Sequence, residues 1–76
     1  MKELLLYIAR NLVDHPDQVS VTEVGEADDL TLELRVAPED MGKVIGKQGR
    51  IAKALRTVVK AAATKANKKV VVEIVQ

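Results

Sequence analysis

The sequence predicts an α+β fold in a single domain, residues 1–76: a three-stranded mixed sheet with helices packed on one face, in the order helix–strand–strand–helix–helix–strand. The stretch Leu30-Thr31-Leu32-Glu33-Leu34-Arg35-Val36 alternates apolar and polar residues without a fault, the pattern of a strand with one wet face. Apolar residues recur at the helical period over 2–13 and again from Arg50 to about Ala66. A β-branched run, Val70–Val75, closes the chain. It is reached from the alternating strand through a helical crossover, which suits parallel pairing and a right-handed connection.

The elements follow in order. Over 2–13, Leu4, Leu5, Ile8, Ala9 and Leu12 share one stripe, while Glu3, Arg10 and Asn11 face away. Asp14-His15-Pro16-Asp17 stops the helix, because the residue before a proline is pushed out of the helical region. His15 is read as a solvated helix-end residue. Val19–Val24 is a second strand candidate, and the five-residue turn 25–29 makes it an antiparallel hairpin with Leu30–Val36. The acids of that turn, Glu26, Asp28 and Asp29, lack the octahedral oxygen set a Mg²⁺ site demands and are read as solvated. Pro38-Glu39-Asp40 opens a short helix, with proline in the first turn and acids beside the positive dipole end. Met41, Val44 and Ile45 supply its apolar contacts, and Gly46 is expected to end it. In the helix from Arg50, the expected buried side is Ile51, Ala54, Leu55, Val58 and Ala62, with Val59 and Ala63 at its edge. Arg50, Lys53, Arg56 and Lys60 form a separate basic stripe. Asn67-Lys68-Lys69 is expected as a loop, after which Val70, Val72 and Ile74 share one strand face.

Composition narrows the function classes. Hydrophobic content of 47% is that of a globular chain. The absence of cysteine excludes disulfides, thiolate metal sites and cysteine nucleophiles. No apolar run approaches the ~18 residues of a membrane span, and Met1-Lys2-Glu3-Leu4-Leu5-Leu6 does not resemble a signal peptide. The expectation is a cytoplasmic protein with no membrane insertion, no cofactor and no metal. One histidine and one serine, Ser20, leave almost no material for a nucleophilic pair, so no enzyme is expected.

Net charge is only +1, but it is segregated. Residues 1–40 carry three basic residues against ten acids, whereas 41–72 carry nine basic residues and no acid. Such asymmetry points to one face made for a polyanion.

The focus of that basic half is Val44-Ile45-Gly46-Lys47-Gln48-Gly49-Arg50-Ile51. Glycine permits backbone conformations and close approaches that a Cβ forbids. A helix beginning there aims its free N–H groups and positive dipole end at whatever lies beside the bend. Lys47 and Arg50 add full charges, with Lys43 and Lys53 flanking them in the acid-free stretch. The combination suits a phosphate chain. A mononucleotide loop is a poor fit, since that motif needs four residues between glycines and a Ser or Thr after the lysine, and Gln48 stands there.

These residues resemble the hallmark of KH domains, an apolar-Ile-Gly-x-x-Gly motif followed by an apolar helix. The element order resembles the type II, bacterial form over essentially the whole chain. The resemblance implies single-stranded RNA binding, with Gly46, Lys47, Gln48 and Gly49 clamping about four nucleotides of backbone. Ile45 and Ile51 would help floor an aliphatic groove, and Lys68 and Lys69 would close its far wall. It further implies an RNA chaperone or post-transcriptional regulator acting as a homodimer or with a larger KH-domain partner protein. Tyr7, the single aromatic residue, is read as a packing or rim residue, so weak binding by one copy with little sequence preference is expected. The alternative is a protein-interaction module whose basic helix face meets an acidic protein, motivated by the surplus apolar residues Leu6, Val13, Val59 and Ala63.

Overall fold

The computed structural model describes residues 1–75 and builds the expected α+β layer. Helix α1 spans Lys2–Leu12, strand β1 Ser20–Glu26, strand β2 Asp29–Arg35, helix α2 Pro38–Lys65 and strand β3 Lys69–Ile74. A short 3-10 turn, Pro16–Gln18, which the sequence pattern did not announce, joins α1 to β1. The sheet order is β1-β2-β3, with β1–β2 antiparallel and β2–β3 parallel. Leu32, Leu34, Val21 and Val72 lie on the covered face and are buried with Leu5, Ala9, Leu55 and Val59. The alternation of β2 thus translates directly into one buried face, because successive strand side chains point to opposite sides.

The hairpin is tighter than expected. Pairing runs out to Glu26↔Asp29, leaving Ala27-Asp28 as a two-residue connection where a five-residue turn was predicted. Gly25 makes this possible: its φ is +114°, and a Cβ there would sit 2.5 Å from the Asp29 carbonyl oxygen.

Two burial expectations are corrected. In α2 the covered stripe is Ala52, Leu55, Val59 and Ala63, whereas Ala54 and Val58 are exposed and Ile51 and Ala62 half-buried. Both phases satisfy the 3.6-residue period, and the side turned to the sheet is set by the path of the chain into the helix. In consequence Val59 and Ala63 belong to the interior, and Leu6 and Val13 pack against it, so none of the four is surplus. The predicted loop 67–69 is instead a helix cap joined directly to a strand. Asn67 adopts φ 59°, its N–H donates to the Thr64 carbonyl at 3.0 Å, and the Lys68 N–H donates to the Ala63 carbonyl at 2.8 Å. That is a Schellman arrangement with asparagine in the left-handed position. The Lys69 N–H then already donates to the Asp28 carbonyl at 2.9 Å.

Asp40 goes further than helix-start chemistry. It is 1% exposed, and its two carboxylate oxygens accept the backbone N–H groups of Asp14 (3.1 Å) and His15 (3.0 Å). One buried side chain therefore ties the exit of α1 to the first turn of α2. Removing it leaves two backbone donors without partners, each costing about 1–3 kcal/mol. Asp40→Ala should lower the unfolding free energy by about 3 kcal/mol and the melting temperature by roughly 10–25 °C, readable by circular dichroism.

Candidate nucleic-acid interface

Helical hydrogen bonding runs through Pro38–Lys65, but the helix is not straight. A straight helix of 28 residues would be about 42 Å long, against a longest molecular dimension of 34 Å. The break is at Gln48 and Gly49, whose φ angles are +63° and +68°. Two consecutive left-handed residues reverse the local hand and divide α2 into limbs 38–47 and 50–65. The bend thus lies within the glycine-framed motif, two residues later than the expected stop at Gly46. Gly46 itself is not in the left-handed region, and a Cβ there would meet nothing within 4 Å. Among the described residues nothing in the packing requires a glycine at 46. Open space beside bare backbone is what a close-approaching ligand needs.

The residues singled out from the sequence distribute around this bend. Val44 is fully buried and Ile45 is 50% exposed, so the pair splits between core and surface. Ile51 is half-buried against the core. Gln48 and Arg50 are exposed and Gly49 partly so. The Lys47 side chain lies outside the described residues. Lys43 has its ammonium 3.3 Å from an Asp14 carboxylate oxygen, engaged at the α1 exit. Beside it His15 Nε2 and Glu39 lie 3.6 Å apart.

On limb 50–65, Arg50, Lys53, Arg56 and Lys60 succeed one another along one side, three or four residues apart. Of these, Arg56 and Lys60 face a cavity of about 420 Å³ between α2 and β3, lined also by Thr64, Lys68, Lys69 and the valines 70–72. Lys68 and Lys69 thus join Arg56 and Lys60 around one cavity, at the end of limb 50–65 that lies about 24 Å from the bend. Arg56 and Lys60 were legible in the sequence as a basic stripe, but their place in a cavity was not.

The cavity also borders the free edge of the sheet. Among the described residues β3 pairs only with β2. The N–H groups of Lys69 and Val75 donate to the carbonyls of Asp28 and Leu34 on the β2 side. By the alternation of a parallel ladder, the backbone groups of Val70 and Val72 point the other way, toward the cavity. Arg56 Nε donates to the Val72 carbonyl at 3.4 Å, capping part of that edge. Among the described residues no group of three or more metal-ligating side chains gathers, and no helix is long and apolar enough to cross a membrane.

A family model described as "KhpA/KhpB, KH domain" matches residues 2–74. A protein of Clostridium acetobutylicum named RNA-binding protein KhpA is 69% identical, the match covering 99% of this chain and 100% of that one. The like-named protein of Listeria monocytogenes is 53% identical with both chains covered in full, and that of Aquifex aeolicus 49% identical over 100% of this chain and 96% of its own. No solved structure matches the chain.

The contrast between the two glycines of the motif is measurable. Gly49→Ala forces a Cβ into the left-handed region and should cost about 1–2 kcal/mol. Gly46→Ala replaces an unconstrained helical glycine and should raise stability by about 0.5–1 kcal/mol. Urea unfolding of the two variants should show the opposite signs.

Proposed function

The chain belongs to the KhpA/KhpB family of KH domains, and on that premise we propose that it binds single-stranded RNA, gripping the backbone at the bend of α2. The observation that carries this reading is Gly46, exposed to open space with neither a torsional nor a packing reason to be glycine. A helical glycine costs about 1 kcal/mol relative to alanine, and a phosphate backbone lying against the main chain supplies a reason to keep it.

Chemically the site needs no catalytic group. Limb 50–65 presents its amide dipoles at the bend, where negative charge is favoured. Gly46, Lys47, Gln48 and Gly49 hold the phosphates of about four nucleotides, with Arg50 and Lys53 continuing the cationic track. Bases then lie over Ile45 and Ile51 and along α2 toward Lys68 and Lys69. Lys43 contributes to the extent that it leaves Asp14. Tyr7, 69% exposed on α1, is a rim residue of that helix rather than a base platform. With no aromatic stack beside the bend, affinity per copy is low, and the biological role is that of an RNA chaperone or post-transcriptional regulator working in the cytoplasm.

A second reading concerns partners. The stripe Ala54, Val58 and Ala61 lies on a side of α2 away from Arg56 and Lys60, and Val58 is 41% exposed. This face, in place of the residues first suspected, suits contact with a second copy or another KH domain. It leaves the RNA track free. Tethering two weak clamps raises avidity without new contacts. An acidic protein on the basic stripe, the alternative occupant, would compete with RNA directly.

Replacing Lys47 and Gln48 with aspartates should leave the circular dichroism spectrum unchanged, since aspartate tolerates the left-handed conformation. Anisotropy of a short labelled single-stranded RNA should then show at least about a ten-fold loss of affinity. Wild-type affinity should fall linearly on a log–log plot against salt, by roughly 0.7 per phosphate neutralised. Undiminished binding by the double variant refutes the clamp. For the partner face, Val58→Asp should reduce the self-associated fraction seen by light scattering while preserving RNA binding. A wild-type protein that stays monomeric at high concentration removes self-association from the proposal.

A further inference from the structure

Among the described residues, the ion pair that joins the acidic half of the chain to the basic half is Lys43 with Asp14, 3.3 Å apart. Asp14 is not a loosely held acid. Its backbone N–H donates to Asp40 at 3.1 Å, and the neighbouring His15 N–H donates to the other Asp40 oxygen at 3.0 Å. Asp40 itself is buried. The main chain at Asp14 is thus pinned by a buried group, while its own carboxylate stays on the surface beside limb 38–47. Exposed ion pairs are weak chiefly because both side chains must be ordered and water and salt screen them. Here the fold has already placed one partner's backbone.

Lys43 stands three residues before Gly46, so the two positions share a side of the limb and are about 5–6 Å apart. A phosphate lying on the open side of Gly46 is therefore within reach of the Lys43 ammonium. Lys43 then has two anionic claimants, the Asp14 carboxylate and the phosphate chain. It serves both at once only by drawing the two anions together, and like charges at such separations repel. Each contact weakens the other.

We propose that Asp14 is a positioning residue of the RNA site: it holds Lys43 to the exit of α1, and an incoming strand has to displace it. The inference rests on the RNA-binding reading above and deepens it, adding an internal competitor for one cation of the interface. It also gives the exposed carboxylate a role that the tie between α1 and α2 does not, since Asp40 binds the Asp14 backbone and not its side chain. The grip on a strand is then lighter than the number of cations alone predicts.

The test follows the anisotropy of one short labelled single-stranded RNA over a series of salt concentrations. It uses wild type, Asp14→Asn, Lys43→Met, the double variant and Asp17→Asn. Asp14→Asn keeps the N–H that Asp40 accepts, so its circular dichroism melt should match wild type; Asp14→Ser removes the same charge and serves should the first variant fail to fold. Loss of the carboxylate should raise affinity about three-fold, the scale of an exposed ion pair. The log–log salt slope should steepen by up to about 0.7, one further phosphate neutralised. A merely structural role for Asp14 would not steepen that slope. Lys43→Met should weaken Asp14→Asn about three-fold more than it weakens wild type, so that the double variant binds like Lys43→Met alone. Asp17→Asn removes an equal charge three residues along and should leave affinity and slope as in wild type. No gain from Asp14→Asn, the same gain in the Lys43→Met background, or an equal gain from Asp17→Asn overturns the inference while leaving the clamp intact. Binding indifferent to the Lys47 and Gln48 aspartates brings down the clamp and this inference with it.

Discussion

Two left-handed residues inside a helical run are the constraint on which this molecule depends. Gln48 and Gly49 turn α2 so that limb 38–47 can bury Val44 while limb 50–65 lays Leu55 and Val59 on the sheet. A straight helix would carry one of those limbs away from the 34 Å body. Only one of the two positions is glycine, so Gln48 bears the left-handed cost of about 1–2 kcal/mol. Such strain persists where surrounding packing over-determines it. Here Leu55 and Val59 anchor one side of the bend and Asp40 the other. The same bend starts a new helix at an open surface, so what the fold needs in order to close and what an anionic ligand needs in order to bind coincide.

Limb 50–65 then divides its circumference into three. Ala52, Leu55, Val59 and Ala63 are covered, Arg56 and Lys60 face the cavity in succession to Arg50 and Lys53, and Ala54, Val58 and Ala61 form a third, exposed side. Helical periodicity makes this possible, since residues three and four apart share a side. A helix apolar only where it meets the core would show two sides. The third, with Ala54, Val58 and Ala61 exposed, is a side of the helix that neither the core nor the basic stripe occupies.

The edge of the sheet is handled in keeping with this. A strand with a bare edge invites pairing with another chain. β3 carries Lys69 at its start and has one outward carbonyl capped by Arg56. The capping residue comes from the basic stripe, so one side chain both covers part of the edge and carries a charge of that stripe. Lys43 shows the opposite case: a cation within the acid-free stretch whose charge the fold engages with Asp14, drawing on the acidic half of the chain.

What could be read directly from the residues was whatever depends on near neighbours in the chain. The alternation of Leu30–Val36 set the buried face of β2, the periods of 2–13 and 50–66 set the helices, and the glycine-framed segment marked the bend together with its family resemblance. Strand order and parallel pairing followed because a crossover of that length has few alternatives. The buried phase of limb 50–65 did not follow, since Ile51-Ala54-Val58 and Ala52-Leu55-Val59 are equally good stripes, and only the direction in which the chain leaves the bend chooses between them. Nor did the roles of Asp40, which answers amide donors 25 and 26 residues away, or of Arg56, whose carbonyl partner lies 16 residues on. Sequence by itself determined the elements, the bend and the segregation of charge, because these are properties of short stretches. Tertiary structure alone decided which helix side is covered, which backbone groups remain unpaired and which side chain meets them, because each depends on where distant segments come to rest.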